Sequence, residues 1–234
     1  MPTSARTGIN AAIVLLCLVL SSGRAVPAEI SYEFRSQPQG VQQWLASQGF
    51  ELRFAAGSAS SVRIGLGDNG LAIETLGPAE PIIAKSNITL RQPAQLSIAW
   101  GVNRYPSGAN WDVGANNEAI MVMIFFGTEK YSDGLFVPRS PYFIGFFLCE
   151  RGRRNVPLSG RSYPTVGRYV CVDGPAAGQE VTSTIALDQI FRAAFRTGTV
   201  PPVSGFAIEA DTTQVGRDAR SSAWIKSIKI TSAN

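Results

Sequence analysis

Between Ala94 and Val102 the side chains of Ala94, Leu96, Ile98, Trp100 and Val102 alternate strictly with Gln95, Ser97, Ala99 and Gly101. A repeat of two residues lays the first set along one face of an extended strand. On a helix the same residues would scatter around the axis. Leu52/Phe54, Val62/Ile64/Leu66, Leu71/Ile73, Val181/Ile185/Leu187 and Phe206/Ile208/Ala210 repeat the pattern over shorter spans. Two runs, Ala119 to Phe126 and Phe143 to Cys149, are apolar on both faces, as central strands covered on both sides are. A last strand over Ala223 to Ile230 sets Trp224, Ile228 and Ile230 on one side, with Lys226 breaking the pattern. Clusters of Gly, Pro, Asn and Ser separate these runs. The expected fold is therefore all-β, a two-sheet antiparallel β-sandwich. One or two short helices accompany it: Val41 to Ser47, and a segment begun by Asp188 as N-cap, with Ile190, Phe191, Ala194 and Phe195 at helical spacing before Pro201-Pro202.

The N-terminus reads as an export leader. A basic Arg6 precedes the apolar run Ala11 to Leu20, followed by Ser21-Ser22-Gly23-Arg24 and the small-residue stretch Ala25-Val26-Pro27-Ala28. The apolar run is half the roughly twenty residues a spanning helix needs. The expected organisation is a signal peptide over residues 1–28, cleaved after Ala28, and one β-sandwich domain over 29–234. The protein is then periplasmic or secreted, with no transmembrane segment in the mature chain. Losing Arg6 and Arg24 lowers the basic count from 21 to 19 against 17 acids, a net charge of +2. So small an excess gives no reason to expect nucleic acid as a partner. Cys149 and Cys171 remain, and an oxidising compartment makes a disulfide between them the default.

The chain contains no histidine. This removes the general base of most serine and cysteine hydrolases and the usual zinc or non-haem iron ligands. Carboxylate chemistry stays open, with Glu74, Asp112, Glu118 and Glu209 as candidates, although their sequence spacing brings no two of them together. A lyase using a Tyr or Lys base is conceivable on an all-β chain. No catalytic residue, cofactor or metal is assigned; calcium at Asp211 and Asp218 is the one metal weighed.

The segment Asn103 to Asn117 is long for a strand connection. It carries Tyr105, Trp111, Asp112 and Asn117, beside Glu118, so that aromatic faces for sugar rings and polar groups for hydroxyls occur together. The next connection, Gly127 to Pro141, adds Tyr131. Glu150, Arg151, Arg153 and Arg154, followed by Arg161 and Arg168, form the densest charge cluster, suited to an acidic glycan or a phosphate. The expected ligand-binding set is Tyr105, Trp111, Asp112, Asn117, Glu118, Tyr131 and Arg154. The opposing view is that Trp111 pins its loop to the sheet and the arginines form a solvated hairpin tip.

Trp100-Gly101-Val102, Glu118, Phe125-Phe126, Phe195 with Pro201-Pro202, Gly205-Phe206-Ala207-Ile208, Asp211-Thr212 and Ser222-Ala223-Trp224 leading to Ile228 together resemble an exported bacterial family known only as a domain of unknown function. The resemblance implies a jelly roll similar to galactose-binding-like and carbohydrate-binding modules. It implies no catalytic residue, and Thr213 and Gln214 stand where that family's pattern has Asp and Asn.

These readings combine into an exported, non-catalytic β-sandwich module that binds a carbohydrate or an envelope component through loop aromatics. The alternatives are a carboxylate-based polysaccharide hydrolase or lyase, and a structural or assembly protein of the envelope.

Overall fold

The structure is a computed structural model and describes residues 29–36, 39–135, 137–214, 216 and 219–233. The expected leader and Asp218 lie outside the described residues. In chain order the elements are β1 (Glu29–Glu33), α1 (Val41–Ser47), β2 (Phe50–Ala56), β3 (Val62–Gly67), β4 (Gly70–Thr75), β5 (Glu80–Lys85), β6 (Pro93–Arg104) and β7 (Glu118–Tyr131). Then follow β8 (Ser140–Leu148), β9 (Leu158–Ser159), β10 (Gly167–Asp173), β11 (Glu180–Ala186), α2 (Leu187–Phe195), β12 (Val203–Asp211) and β13 (Ser221–Ser232).

The strands form the two sheets that the alternation predicts. A six-stranded sheet runs β11-β6-β13-β4-β3, with β1 also paired to β13. Residues 221–225 of β13 pair β4 and residues 227–231 pair β1, so these two strands lie end to end along one side of β13. The second sheet has seven strands in the order β2-β5-β12-β7-β8-β10-β9. All its pairings are antiparallel except β8 with β10.

The core lies between the sheets. Leu96, Ile98, Trp100 and Val102 of β6 meet Ile120, Val122, Ile124 and Phe126 of β7, Ile144 and Phe146 of β8, and Phe206 and Ile208 of β12. Each such side chain contributes about 1.5–3 kcal/mol by leaving water. Trp100 places a polar atom in this interior, and its Nε1 donates to Ser183 Oγ at 2.9 Å. Ser183 in turn donates to Asp173 Oδ2, so a hydrogen-bonded chain joins β6 and β11 of one sheet to β10 of the other. The Cys149–Cys171 disulfide is formed, joining the chain just past β8 to β10.

Three local readings are corrected. Trp224 does not share a side with Ile228 and Ile230. Ala223 and Ile225 face the core, and between Ile225 and Ser227 the register against β6 shifts, so that Ile228 and Ile230 face inward again. This bulge turns Lys226 to the surface, where it pairs with Glu180. Trp224 lies on the outer face, across Gly101, where any Cβ would strike its ring. Asp188 is not an N-cap: β11 runs directly into α2 at Ala186, and Asp188 falls in the helix's first turn. The segment from Gly127 to Pro141 is not one long loop, because β7 continues to Tyr131 and β8 starts at Ser140.

Candidate functional site

The seven-stranded sheet buries a second apolar layer on the face turned away from the other sheet. Met121, Met123, Phe143, Phe147, Cys171 and Ala207 form it, with Ile82, Phe125, Trp111, Tyr163 and Tyr169 packed against them. Arg53, Ile82, Glu209, Met121, Phe147 and Cys171 are successive register partners and make one row across this face. The aromatic rings are in continuous contact. Trp111 lies 4.5 Å from Tyr169 and 5.1 Å from Phe147, and Phe143 lies 5.3 to 5.7 Å from Tyr163, Tyr169 and Phe125. Tyr169 crosses Gly145 and Gly160, and a Cβ at Gly160 would strike its ring.

Four carboxyls converge at one end of this face. Glu209 and Asp211 follow Ala207 on the outward phase of β12. Glu118 is out of phase on β7, since Ile120, Val122 and Ile124 point into the core. A bulge reconciles the two: Glu209 faces Met121 and Asp211 faces Glu118, so three residue steps on β7 match two on β12. The extra residue turns Glu118 outward, beside Glu209. Glu80 of β5 completes the group through its electrostatic coupling to all three.

Glu118 and Glu209 are 2% and 7% exposed, and the two carboxyls lie close enough to be strongly coupled. Burial is the first cause that raises both acids well above the usual carboxylate range, and repulsion from Asp211 and Glu80 adds to it. Trp111 Nε1 donates to Glu118 Oε2 at 3.2 Å and opposes the shift. Arg53 and the neighbouring Glu118 oppose it at Glu209. Burial, then Asp211, pushes Glu80 up to about 7. Asp211 is also raised by burial, against an amide hydrogen bond of 2.7 Å from Thr213. None of the four forms a salt bridge with a described lysine or arginine.

The connection after β6 covers this pair. Asp112 accepts from the Arg153 amide at 2.8 Å and from Arg153 Nε at 3.1 Å, and Asn110 Oδ1 accepts from the Asp112 amide. These bonds hold the turn so that Trp111 lies over Glu118. Arg153 is itself close to the disulfide, because Arg154 bridges to Cys171 and the Asn155 amide donates to Cys171 O.

Of the residues expected to bind a ligand, Tyr105, Trp111, Asn117 and Glu118 line one small cleft of about 10 Å³ with Asn110 and Glu150. Tyr105 donates to Pro175 O, the Gln214 amide donates to Asn117 Oδ1, and Arg154 donates to Gly174 O. Tyr131 is apart from the set, at the opposite end of β7, against Tyr142 at 5.0 Å. Glu74 pairs Arg63 on the other sheet, away from Glu118 and Glu209. Glu80, Asp211, Tyr163 and Tyr169 were absent from the expected set, although the outward phase of Asp211 with Glu209 was visible. Among the described residues no group of three or more His, Cys, Asp or Glu could hold a metal ion. No described helix is long and apolar enough to cross a membrane.

Fold and site together define a two-sheet β-sandwich with a covered carboxyl pair on its aromatic outer face. No protein-family model matches the chain, that of the exported family of unknown function included, and no curated protein does. Among solved structures the chain is similar to a xylan-binding module, at 13% identity over 89% of this chain and 99% of that one, with a TM-score of 0.37. It is also similar to a metagenome-derived glycoside hydrolase family 12 endoglucanase, at 13% identity over 88% and 99%, with a TM-score of 0.42. A cellulase derived from the Cel12A enzyme of Rhodothermus marinus gives 11% identity over 87% and 100%, with a TM-score of 0.40. At these values the likenesses do not speak for what this chain binds or does.

Proposed function

We propose that the protein is an exported, carbohydrate-active domain that cleaves glycosidic bonds, with Glu118 and Glu209 as its carboxyl pair and the saccharide lying along the aromatic outer face of the seven-stranded sheet. The observation that carries this reading is the juxtaposition of two buried acids with no ion-paired base among the described residues. Burying like-charged acids side by side works against folding, and such perturbed groups mark functional sites.

Glu118 Oε2 accepts from the Trp111 indole, and one proton shared by the coupled pair leaves one acid ionised and the other protonated. The protonated acid then gives its proton to the glycosidic oxygen as the bond to the anomeric carbon breaks, and an oxygen of the ionised acid bonds to that carbon. The first acid, now ionised, takes a proton from the water that displaces the second. Retaining enzymes hold their carboxyls roughly 5–5.5 Å apart, so the two side chains separate as the sugar enters between them. Entry of substrate requires Trp111 and its turn to move aside, and the exposed Asp112–Arg153 bonds are what must yield.

The test is release of reducing ends from a panel of neutral and acidic polysaccharides. Glu118→Gln and Glu209→Gln should each lower turnover by roughly 10²–10⁴-fold while retention on an affinity gel persists. The second reading, a non-catalytic glycan-binding module, is favoured by the continuous aromatic row from Trp111 to Phe125. Retention by the wild type with no reducing ends from any polysaccharide would establish it in place of the first.

A further inference from the structure

A second feature lies at the other end of the seven-stranded sheet, where the parallel strands β8 and β10 begin against the C-terminus of α2. Here a groove of about 610 Å³ is lined by Tyr142, Ser159, Thr165, Arg168, Phe195 and Arg196, among others, and by no carboxylate. Its volume is within the range of small-molecule sites, roughly 300–1,000 Å³.

Arg168 is fixed in place. Its Nη1 donates to Gly167 O at 2.7 Å and Pro164 O at 2.9 Å, and its Nε donates to Ala194 O at 3.3 Å. The guanidinium stands 5.0 Å from the ring centre of Phe195. Carbonyls and a ring orient the cation but do not cancel its charge. Neither Arg168 nor Arg196 forms a salt bridge with a described acid. Arg196 closes α2 in the left-handed conformation, with φ of 54°. Within the basic segment Arg151 pairs with Glu150 and Arg153 with Asp112, whereas Arg168 lines the groove with no acid paired to it among the described residues.

We propose that this groove binds an acidic sugar residue, with its carboxylate between the Arg168 and Arg196 guanidinium groups and its ring against Phe195 and Tyr142. With Nε and Nη1 taken by carbonyls, Nη2 is left to donate to a carboxylate oxygen, and a guanidinium already held in one orientation loses little freedom on binding it. The partly exposed rings and the hydroxyls of Ser159 and Thr165 suit the two sides of a pyranose.

The full-length protein, purified after export, is titrated calorimetrically with digalacturonate, with the neutral digalactoside and with inorganic phosphate. Arg196→Gly is the informative variant, because glycine adopts the left-handed conformation at this helix end without strain. Digalacturonate should bind more weakly as salt rises, Arg196→Gly should lower its affinity about tenfold or more, and Arg151→Ala should leave it unchanged. Glu118→Gln should also leave it unchanged, so the outcome is independent of the carboxyl pair. Equal binding of the neutral disaccharide or of phosphate, unaltered affinity in Arg196→Gly, or no binding at millimolar digalacturonate would each overturn the proposal.

Discussion

The indole nitrogen of Trp111 donates to Glu118 Oε2 across 3.2 Å, and this is the only hydrogen bond from a nitrogen donor to that carboxyl among the described residues. It favours the ionised form of Glu118 where burial and three neighbouring acids oppose it. Trp111→Phe keeps the ring contact with Phe147 and Tyr169 but removes the donor. The Glu118 carboxyl should then titrate at still higher pH, read as an upward move of the acid pair in carboxyl infrared or side-chain carbon NMR spectra. An unmoved titration would show that the indole does not set the charge of the pair.

Stability should fall as pH rises. Glu80 has its carboxyl pushed up to about 7 from an ordinary 4.5, so between these values the folded state binds more protons than the unfolded one. Its contribution is complete below the unfolded value and is lost as pH passes the folded one; Glu118 and Glu209, also raised by burial, add to the loss in the same direction. The melting temperature should be higher near about pH 5 than near about pH 8, and Glu80→Gln should flatten part of that slope.

Replacing one acid of the pair should stabilise the protein where both would ionise. Glu209→Gln removes the repulsion yet keeps the shape and a donor toward Glu118, so at about pH 8 its melting temperature should exceed that of the wild type. A fall in melting temperature would mean that the second carboxylate supports the fold.

The disulfide closes a segment with a sequence separation of 22. Substituting both cysteines by serine should cost about 3 kcal/mol in urea unfolding. Because Arg153 lies close to this link, the Trp111 turn should become more accessible to proteolysis in the same variant.

Much of the fold was legible because burial follows a period of two wherever strands run without interruption. Leu96 to Val102 and Phe206 to Ala210 needed nothing more. The errors lie where that period breaks. The bulge at Lys226 reversed the facing of Trp224, and the bulge on β7 did the same to Glu118. Read by alternation, Glu118 falls in phase with Ile120 and Val122 and belongs to the core, and so its meeting with Glu209 was not visible. The meeting also depends on β12 lying beside β7, a pairing of segments about ninety positions apart that local pattern does not determine. Tyr131 was separated from Trp111 by the length of one strand, which a list of loop aromatics cannot register.

Strand β13 is the last of the domain's strands in chain order and yet lies inside the six-stranded sheet, between β6 on one side and β4 and β1 on the other. During synthesis those three strands emerge with open hydrogen-bonding edges and no partner between them. Until β13 arrives, β6 can pair β11 and β4 can pair β3, but nothing joins the two pairs. Any cut that removes β13 takes away the one neighbour that β1, β4 and β6 share among the described strands.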